Sequence, residues 1–289
     1  MSTARSALAV AHVRALAEGA PLSRELRVTL NFHPDRRLDG RTVLEGLSRD
    51  GVYRSQFETG TSNGGLTAHP GGDRWRWESR LFGGVYDDAP ARERPRYGAL
   101  NHRRRKVGAA PRFGSAHLRL AAHTLERATF CFPDSVFDPT HFGTADRMGL
   151  IALADAFDAR PRRDEIEATE GGVLDDYIEA HVHGTLSLRD DVEALVLDPS
   201  YRGTEVDAQA HALGVPVEWH EGFAATADAL GAHPEFRGPH VAALAAELAG
   251  EGSLTPRGLG EAWASEAHDP QALKRVWHLL ARFGRDWRR

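Results

Sequence analysis

A strand followed by a short helix can be assigned within residues 26–50, and this stretch constrains the fold most strongly. Apolar and polar residues alternate over 26–33, which is the period-two pattern of a half-buried strand. Pro34 then ends the sheet pairing. The next aliphatic residues share one helical face, and Gly51 is typical of the position just after a helix. His33 is therefore expected at a strand end, beside a loop that leads into a helix.

The composition is that of a globular protein with no strong pull towards nucleic acid. The 289 residues suffice for one large domain or two smaller ones, and the net charge of −5 gives no general attraction for phosphate backbones. Cys131 is the single cysteine, which excludes an internal disulfide framework and fits a reducing compartment. No apolar run is long enough to span a bilayer. We therefore expect a cytoplasmic protein with no membrane partner.

The rest of the chain predicts an α+β fold in two parts, a mixed domain over residues 1–222 and a helical layer over residues 223–289. Ala-rich segments follow Gly222, and Gly and Pro separate them at helix ends. Before that point the patterns predict helices over 4–18, 43–50, 144–157 and 205–213, and a partial helix from residue 90. They predict strands over 26–33, 52–58, 81–86, 115–120, 128–132, 173–188, 192–197 and 215–219, with Trp75 and Trp77 on a strand edge or pocket wall.

Three polar residues lie at strand ends or on strand faces opposite apolar neighbours: His33, Tyr86 and Glu179. Each has an ordinary structural explanation when taken alone, since strand-end histidines and half-buried tyrosines are common. Their order and their local settings are what suggest a site. A long glycine-rich loop over residues 60–72 could cover such a site.

These settings resemble the ADP-ribosyltransferase fold, in the branch with a His–Tyr–Glu triad that includes diphtheria toxin and the poly-ADP-ribose polymerases. His33 is followed by the stretch TVLEGL, which is similar to the helix of that family after its first strand. The stretch LFGGVYDDA, which contains Tyr86, is similar to the family's nicotinamide-stacking motif. The stretch YIEAH places Glu179 on a late strand. The resemblance covers residues 26–198, and the whole chain also resembles a bacterial family of unknown function in the stretches YRSQFETGTSNGGL and RYGALN.

The resemblance implies a split antiparallel or mixed β-sheet and an NAD-dependent ADP-ribosyltransferase, or an NAD glycohydrolase if water is the acceptor. His33 would bind a ribose hydroxyl, Tyr86 would stack on nicotinamide, and Glu179 would stabilise the positive charge that develops on the ribose. NAD is the implied cofactor, and the acceptor could be a protein, a nucleic acid or a small molecule. The residues expected to contact NAD are His33, Arg54, Asn63, Gly83, Gly84, Tyr86, Tyr97 and His181.

Two departures from that family leave alternatives open. Pro34 follows His33 where the family has Gly or Thr, and His181 stands where the arginine-specific branch would have a second Glu. That branch would begin with an arginine, for which Arg54 is the candidate. The His–Tyr–Glu triad is the better match, and His181 argues against simple arginine modification.

Two other classes of function fit some of the same residues. His181 and His183 lie on one strand face beside Glu179, a spacing usable for zinc, and the His33-Pro34-Asp35 stretch could add ligands to a zinc-dependent hydrolase. Alternatively, a non-catalytic nucleotide-binding module could use the basic run 103–106 to contact phosphates.

Overall fold

The computed structural model describes residues 4–38, 40–60, 67–159 and 174–285. Its helices are Ala4–Leu16, Val43–Asp50, Gln56–Thr59, Asp73–Leu81, Leu150–Asp158, Leu188–Asp191, Glu205–Ala212, Ala227–Gly231, Pro239–Ala249, Pro256–Ala264 and Pro270–Phe283. Its strands are β1 (Val28–Phe32), β2 (Arg37–Leu38), β3 (Arg41–Thr42), β4 (Val52–Tyr53), β5 (Arg96–Leu100), β6 (Ala116–Leu120), β7 (Ala128–Phe132), β8 (His141–Thr144), β9 (Ile178–Val182), β10 (Leu186–Ser187), β11 (Val192–Leu197), β12 (Val217–Trp219), β13 (Ala225–Thr226) and β14 (Ser253–Leu254).

Eight of these strands form one mixed sheet in the order β12-β11-β6-β1-β5-β9-β7-β8. All neighbouring strands in the sheet are antiparallel except β11 and β12, which run parallel. The first strand therefore lies inside the sheet, between β6 and β5, with β9 next to β5. The predicted α+β class is confirmed. Within the described residues, no helix is both long and apolar enough to cross a membrane.

The helix after β1 forms where the sequence predicts it. Thr42 and Glu45 make a capping box, in which the Thr42 hydroxyl accepts from the Glu45 backbone N–H and the Glu45 carboxylate accepts from that of Thr42 at 2.6 Å. Gly51 closes the helix with a φ of 64°, and its N–H donates to the Leu47 carbonyl. Leu44 and Leu47 pack into the main hydrophobic core. The strand, the loop and the helix are thus joined as one rigid unit.

Several predicted boundaries are wrong, and helix capping explains one of them. Strand 52–58 stops at Tyr53, because Ser55 caps the helix Gln56–Thr59 with a second capping box. The helix predicted over 144–157 begins only at Leu150, since Thr144 still belongs to β8. The partial helix from residue 90 is a single 3₁₀ turn before β5. The strand predicted over 173–188 is two shorter strands, β9 (Ile178–Val182) and β10 (Leu186–Ser187), and residue 173 lies outside the described residues.

The predicted strand segments around Trp75 and Tyr86 are also wrong. Residues 73–81 form a helix whose buried side chains are Arg74, Trp77, Glu78 and Leu81, a spacing of one helical face. Two of these four residues are charged, so an apolar pattern could not reveal the face. Gly83 and Gly84 have φ values of 59° and 76°, which end the helix in turns and leave no strand at 81–86.

The C-terminal helices have their own hydrophobic cluster, which draws most of its members from residues 223–281. The predicted domain boundary at residue 222 stays a prediction, although this cluster begins at that point in the chain. Trp277 connects the layer to the rest of the fold, because its indole N–H donates to the carbonyls of Pro111 and Arg112 at 3.0 Å each. The layer therefore packs against the segment 107–114.

Segment 107–114 is fixed to β1 by polar side chains. Asn31 donates to the carbonyls of Val107 and Gly114 at 2.9 and 3.3 Å, and the Thr29 hydroxyl accepts from the Ala109 N–H at 2.8 Å. Gly114 approaches β1 so closely that an added Cβ would overlap the Phe32 carbonyl group. Only glycine fits at this position.

We predict that Gly114→Ala lowers the free energy of unfolding by about 1–3 kcal/mol or more, because the added methyl group forces β1 and the segment apart. Chemical denaturation of the full chain measures this. Gly46→Ala is the matched control, since a Cβ at that helix position meets nothing within 4 Å and alanine favours the helix. Equal stabilities for the two variants would show that the close approach of Gly114 to β1 does not affect the free energy of unfolding.

Candidate functional site

A cavity of about 300 Å³ lies where β1, β5 and β9 meet the helix Val43–Asp50. Its lining includes Tyr97, Tyr177 and Glu179 from the strand region. It also includes Arg37, Arg41 and residues of the helix. Its size falls within the range of small-molecule sites in proteins, and its wall combines aromatic rings with charged groups.

Glu179 is the buried carboxylate of this cavity, with 6% of its surface exposed. It lies in β9 opposite Ala99 of β5 and Cys131 of β7. The Ser135 hydroxyl donates to its Oε2 at 3.0 Å, and His181 Nε2 lies 2.9 Å from its Oε1. Burial by itself raises the pKa of Glu179, but the hydrogen bond and charge of His181, with the charge of Arg74, bring the pKa below its usual value. The side chain is therefore a carboxylate at neutral pH.

Arg74 is the buried cation next to this carboxylate. Its Nη1 donates to the Ser135 hydroxyl at 2.8 Å and lies 3.9 Å from Glu179 Oε1. Its guanidinium stacks 4.1 Å above the ring of Tyr97, whose hydroxyl donates to Glu78 at 3.0 Å. The helix Asp73–Leu81 thus supplies both Arg74 and Glu78. Their polar contacts fix the position of one side of the cavity.

His33 lies at the end of β1, between two tryptophans of the C-terminal layer. Its ring meets Trp263 at 5.0 Å and Trp277 at 4.8 Å, both edge to face. Burial, together with the nearby charge of Arg36, lowers the pKa of His33 to about 3. The ring is therefore neutral at pH 7. It can donate one hydrogen bond and accept another.

The cavity wall is strongly cationic. It contains six arginines and two acidic residues, Asp50 and Glu179. Asp50 forms ion pairs with Arg49 at 2.8 Å and Arg54 at 2.7 Å. The arginines lining the cavity are Arg36, Arg37, Arg41, Arg49, Arg54 and Arg74. This excess of positive charge suits an anionic ligand, and arginine is well matched to phosphate oxygens.

The structure brings four of the sequence-predicted site residues to one cavity: His33, Arg54, Tyr97 and Glu179. Asn63 lies outside the described residues. Gly83 and Gly84 belong to the turn after the helix Asp73–Leu81 and are not among the residues lining this cavity. His181 is fully buried behind Glu179 and supports it through a hydrogen bond.

The expected role of Tyr86 is not supported by its position. Its ring is fully buried in a cluster with the N-terminal helix, and its hydroxyl is 2.8 Å from His183 Nδ1. The ring also stacks parallel to His183 with centroids 5.8 Å apart. Tyr86 is held there because the two glycine turns direct residue 86 towards the N-terminal helix. Tyr97, unlike Tyr86, lines the cavity.

Several residues of the cavity were missed by sequence reasoning: Arg74, Phe113, Tyr177 and the adjacent Ser135. The sequence did not indicate that Arg74 is buried, because an arginine in a charged segment suggests an exposed surface. Tyr177 lies just before β9, and its hydroxyl donates to the buried Asp134. Phe113 meets the Tyr177 ring edge to face at 5.6 Å. Tyr177 precedes Glu179 by two residues, which is the repeat of a strand. This spacing was the sequence feature that could have identified Tyr177 as a neighbour of the site.

The residues available for the alternative zinc site differ from those predicted. His183 is engaged on both ring nitrogens, by Tyr86 and by the Thr129 hydroxyl at 3.0 Å. Both ring nitrogens of His183 are therefore engaged by residues other than His181, which weakens the assignment of the two histidines as a zinc pair. Among the described residues, the group that could hold a metal is Cys131, Glu179 and His181, whose ligand atoms lie within 4.8 Å of one another.

The basic run 103–106 is occupied with ion pairs to carboxylates. Arg103 lies 2.7 Å from Asp158, and Lys106 lies 2.9 Å from Glu221. Arg104 pairs with Glu25 at 2.7 Å, and Arg105 lies 3.9 Å from Asp176. These contacts give the run a structural explanation and weaken its assignment as a phosphate site.

Because His33 is buried in its neutral form, we predict that it lowers the stability of the folded protein in acid. Between pH 6.5 and about 3 the unfolded chain binds a proton at His33 that the folded chain does not bind, so stability falls as the pH falls. We expect His33→Phe, which keeps an aromatic ring between the tryptophans, to reduce this slope by up to about 1.4 kcal/mol per pH unit. Denaturant midpoints measured across this range give the slope.

His240→Phe is the control, because His240 is exposed. It should leave the slope unchanged. If both variants keep the wild-type slope, His33 is not buried in its neutral form.

Comparison with known proteins gives a family but no activity. No curated protein matches this chain. The family described as "Protein of unknown function (DUF3626)" matches residues 27–160 and 150–283. These matches span the sheet, the cavity and most of the C-terminal helices, so the chain belongs to the DUF3626 family.

Proposed function

We propose that this protein cleaves the nicotinamide–ribose bond of NAD⁺ and transfers ADP-ribose to an acceptor. One observation carries the proposal: a buried, ionised Glu179 shares an arginine-lined cavity with the neutral His33. An ADP-ribosyltransferase-like site needs a carboxylate near the reacting ribose and a hydrogen-bonding ring near the sugar hydroxyls. Both groups come from the strands that the sequence resemblance indicates, the first strand and a late strand.

The charges of the cavity fit a dinucleotide. Five of its six arginines come from residues 36–54, on or near the helix that follows β1. A pyrophosphate carries two negative charges and oxygens that arginine binds in pairs. Tyr53 and Phe113 are half-buried in the cavity wall and offer apolar ring surface to a base. The residues present therefore fit NAD⁺ in charge and in chemistry.

Glu179 supplies the electrostatic stabilisation that the reaction requires. When the C1′–N1 bond breaks, its electron pair leaves with nicotinamide and positive charge develops on the ribose. A fixed carboxylate beside that charge lowers the barrier, as in glycosidases. The acceptor oxygen or nitrogen then bonds to C1′ and releases its proton to solvent. Arg74 and His181 keep Glu179 ionised and in one orientation through the contacts described above.

We predict that Glu179→Gln lowers the rate of nicotinamide release by at least about 10²-fold, because the amide cannot neutralise the developing charge. Incubation with NAD⁺ and chromatography of free nicotinamide measure the rate. The affinity for NAD⁺, followed by the shift in melting temperature, should change little, since the arginines remain.

Glu251→Gln is the matched control, because Glu251 is an exposed carboxylate. It should release nicotinamide at the wild-type rate. Equal release from both variants would contradict the role of Glu179. NAD⁺ binding without release from the wild type, in the presence of candidate acceptors, would favour a non-catalytic nucleotide-binding module.

A metal-dependent hydrolase is the second candidate, and the group Cys131, Glu179 and His181 favours it. A thiolate, a carboxylate and an imidazole are a usable set of three zinc ligands that leaves one position for water. Burial raises the pKa of Cys131 well above its usual value, and this opposes the thiolate form that a metal needs. We therefore rank this function below the transferase.

Cys131→Ala separates the two candidates. A zinc hydrolase should lose its bound metal, measured by elemental analysis of the purified protein, and its activity with it. A transferase should keep nicotinamide release within a few-fold of wild type, because Cys131 contacts Glu179 only through a weak S–H donor 4.0 Å away. Stoichiometric zinc in the wild type that disappears in this variant would overturn our ranking.

A further inference from the structure

A second group of basic side chains lies where the C-terminal layer meets the sheet domain. We call Arg112, Arg237, Lys274 and His278 the junction cluster. Arg112 precedes Phe113, which lines the cavity, and Lys274 and His278 are one turn apart on the helix Pro270–Phe283. The hydrogen bonds from Trp277 to the carbonyls of Pro111 and Arg112 hold this helix beside Arg112.

Among the described residues, Asp175 is the carboxylate that forms ion pairs with the junction cluster. Asp175 forms an ion pair with Arg112, and its Oδ2 lies 3.6 Å from Arg237 Nη2. Burial lowers the pKa of Lys274, and the charges of Arg112, Arg237 and Arg36 lower it further. The carboxylate of Asp175 thus pairs with two of the cations, whereas Lys274 has no ion pair among the described residues. The positive charge of Lys274 favours an anion at this place.

His278 provides an independent sign of a missing ligand. It is 4% exposed, and neither of its ring nitrogens has a hydrogen-bond partner among the described residues. The charges that act on the ring come from the cluster, with His33 beyond it. A buried polar group without a partner is destabilising, and a ligand oxygen accepting from the ring N–H would offset this cost.

We propose that the junction cluster binds the phosphate group of a phosphorylated acceptor. Arginine and lysine bind phosphate oxygens through charge, and the neutral imidazole adds one N–H donor. The cluster adjoins the cavity wall through Phe113, and Asp175 lies two residues before Tyr177 of the same wall. The phosphate site itself stands on the cluster alone, whereas the identity of the ligand as an acceptor rests on the transferase function proposed above.

Inorganic phosphate is the probe for the site itself. Calorimetry on the full chain should show phosphate binding that weakens at least 10-fold in the double variant Arg237→Gln/Lys274→Gln. Arg41→Gln, which removes a cavity arginine outside the cluster, is the control for phosphate bound in the cavity and should keep the junction binding. If the double variant binds phosphate as the wild type does, the proposal is wrong.

A measurement on the unmodified chain covers the case in which the double variant fails to fold. Phosphate should shift the imidazole NMR signals of His278, assigned with His278→Gln, and leave those of the exposed His240 unmoved. Unmoved His278 signals at saturating phosphate would overturn the proposal.

Transfer assays separate this proposal from the proposed function. Adenosine and adenosine 5′-monophosphate are compared as acceptors, with nicotinamide release into water measured alongside. We expect transfer to the monophosphate to exceed transfer to the nucleoside, and the double variant to lose this preference while its release into water continues. Release without any preference for the monophosphate would reject the phosphorylated acceptor alone. Absence of release in the wild type would reject the transferase, while the phosphate titration still tests the site.

Discussion

The burial of a charged carboxylate in the middle of a sheet is the constraint on which the rest of this structure depends. Glu179 has apolar strand neighbours, and an isolated carboxylate there would be neutralised or would destabilise the fold. Arg74, Ser135 and His181 together make the burial possible. Removing one partner from such a buried pair typically costs about 3–5 kcal/mol. The sheet therefore tolerates Glu179 only with the helix Asp73–Leu81 in place.

The helix Asp73–Leu81 also makes polar contacts with residues that do not line the cavity. Arg94 binds Glu78 at 2.6 Å and also donates to the carbonyl of Tyr86 at 2.7 Å. Tyr86 is consequently part of the support that fixes the helix, because Arg94 links its carbonyl to Glu78. The turn formed by Gly83 and Gly84 allows the chain to reverse at this point. A motif that resembles a ligand-stacking segment thus has a structural role here.

Sequence patterns were informative where one physical effect dominated and misleading where two effects competed. The unit from β1 to Gly51 was predicted because apolar alternation, capping and a C-terminal glycine all agree. The helix around Trp77 was missed because its buried face includes Arg74 and Glu78, which are stabilised by partners distant in sequence. His33 and Glu179 were identified from strand positions. No pattern in the sequence places Tyr97 at the cavity, and Arg74 and Phe113 are brought there by tertiary packing alone.

The charged residues of the cavity wall are unevenly distributed among its elements, and in the function that we propose this distribution would orient a dinucleotide. Most of its arginines follow β1, whereas Glu179 and its supporting residues lie on β9. In the proposed function, the arginines that follow β1 would bind the pyrophosphate, and the reactive ribose would then lie towards the carboxylate. His33 lies in the same cavity wall, where its ring contacts Trp263 and Trp277. The C-terminal layer therefore helps to position the histidine that we propose as the partner of a ribose hydroxyl.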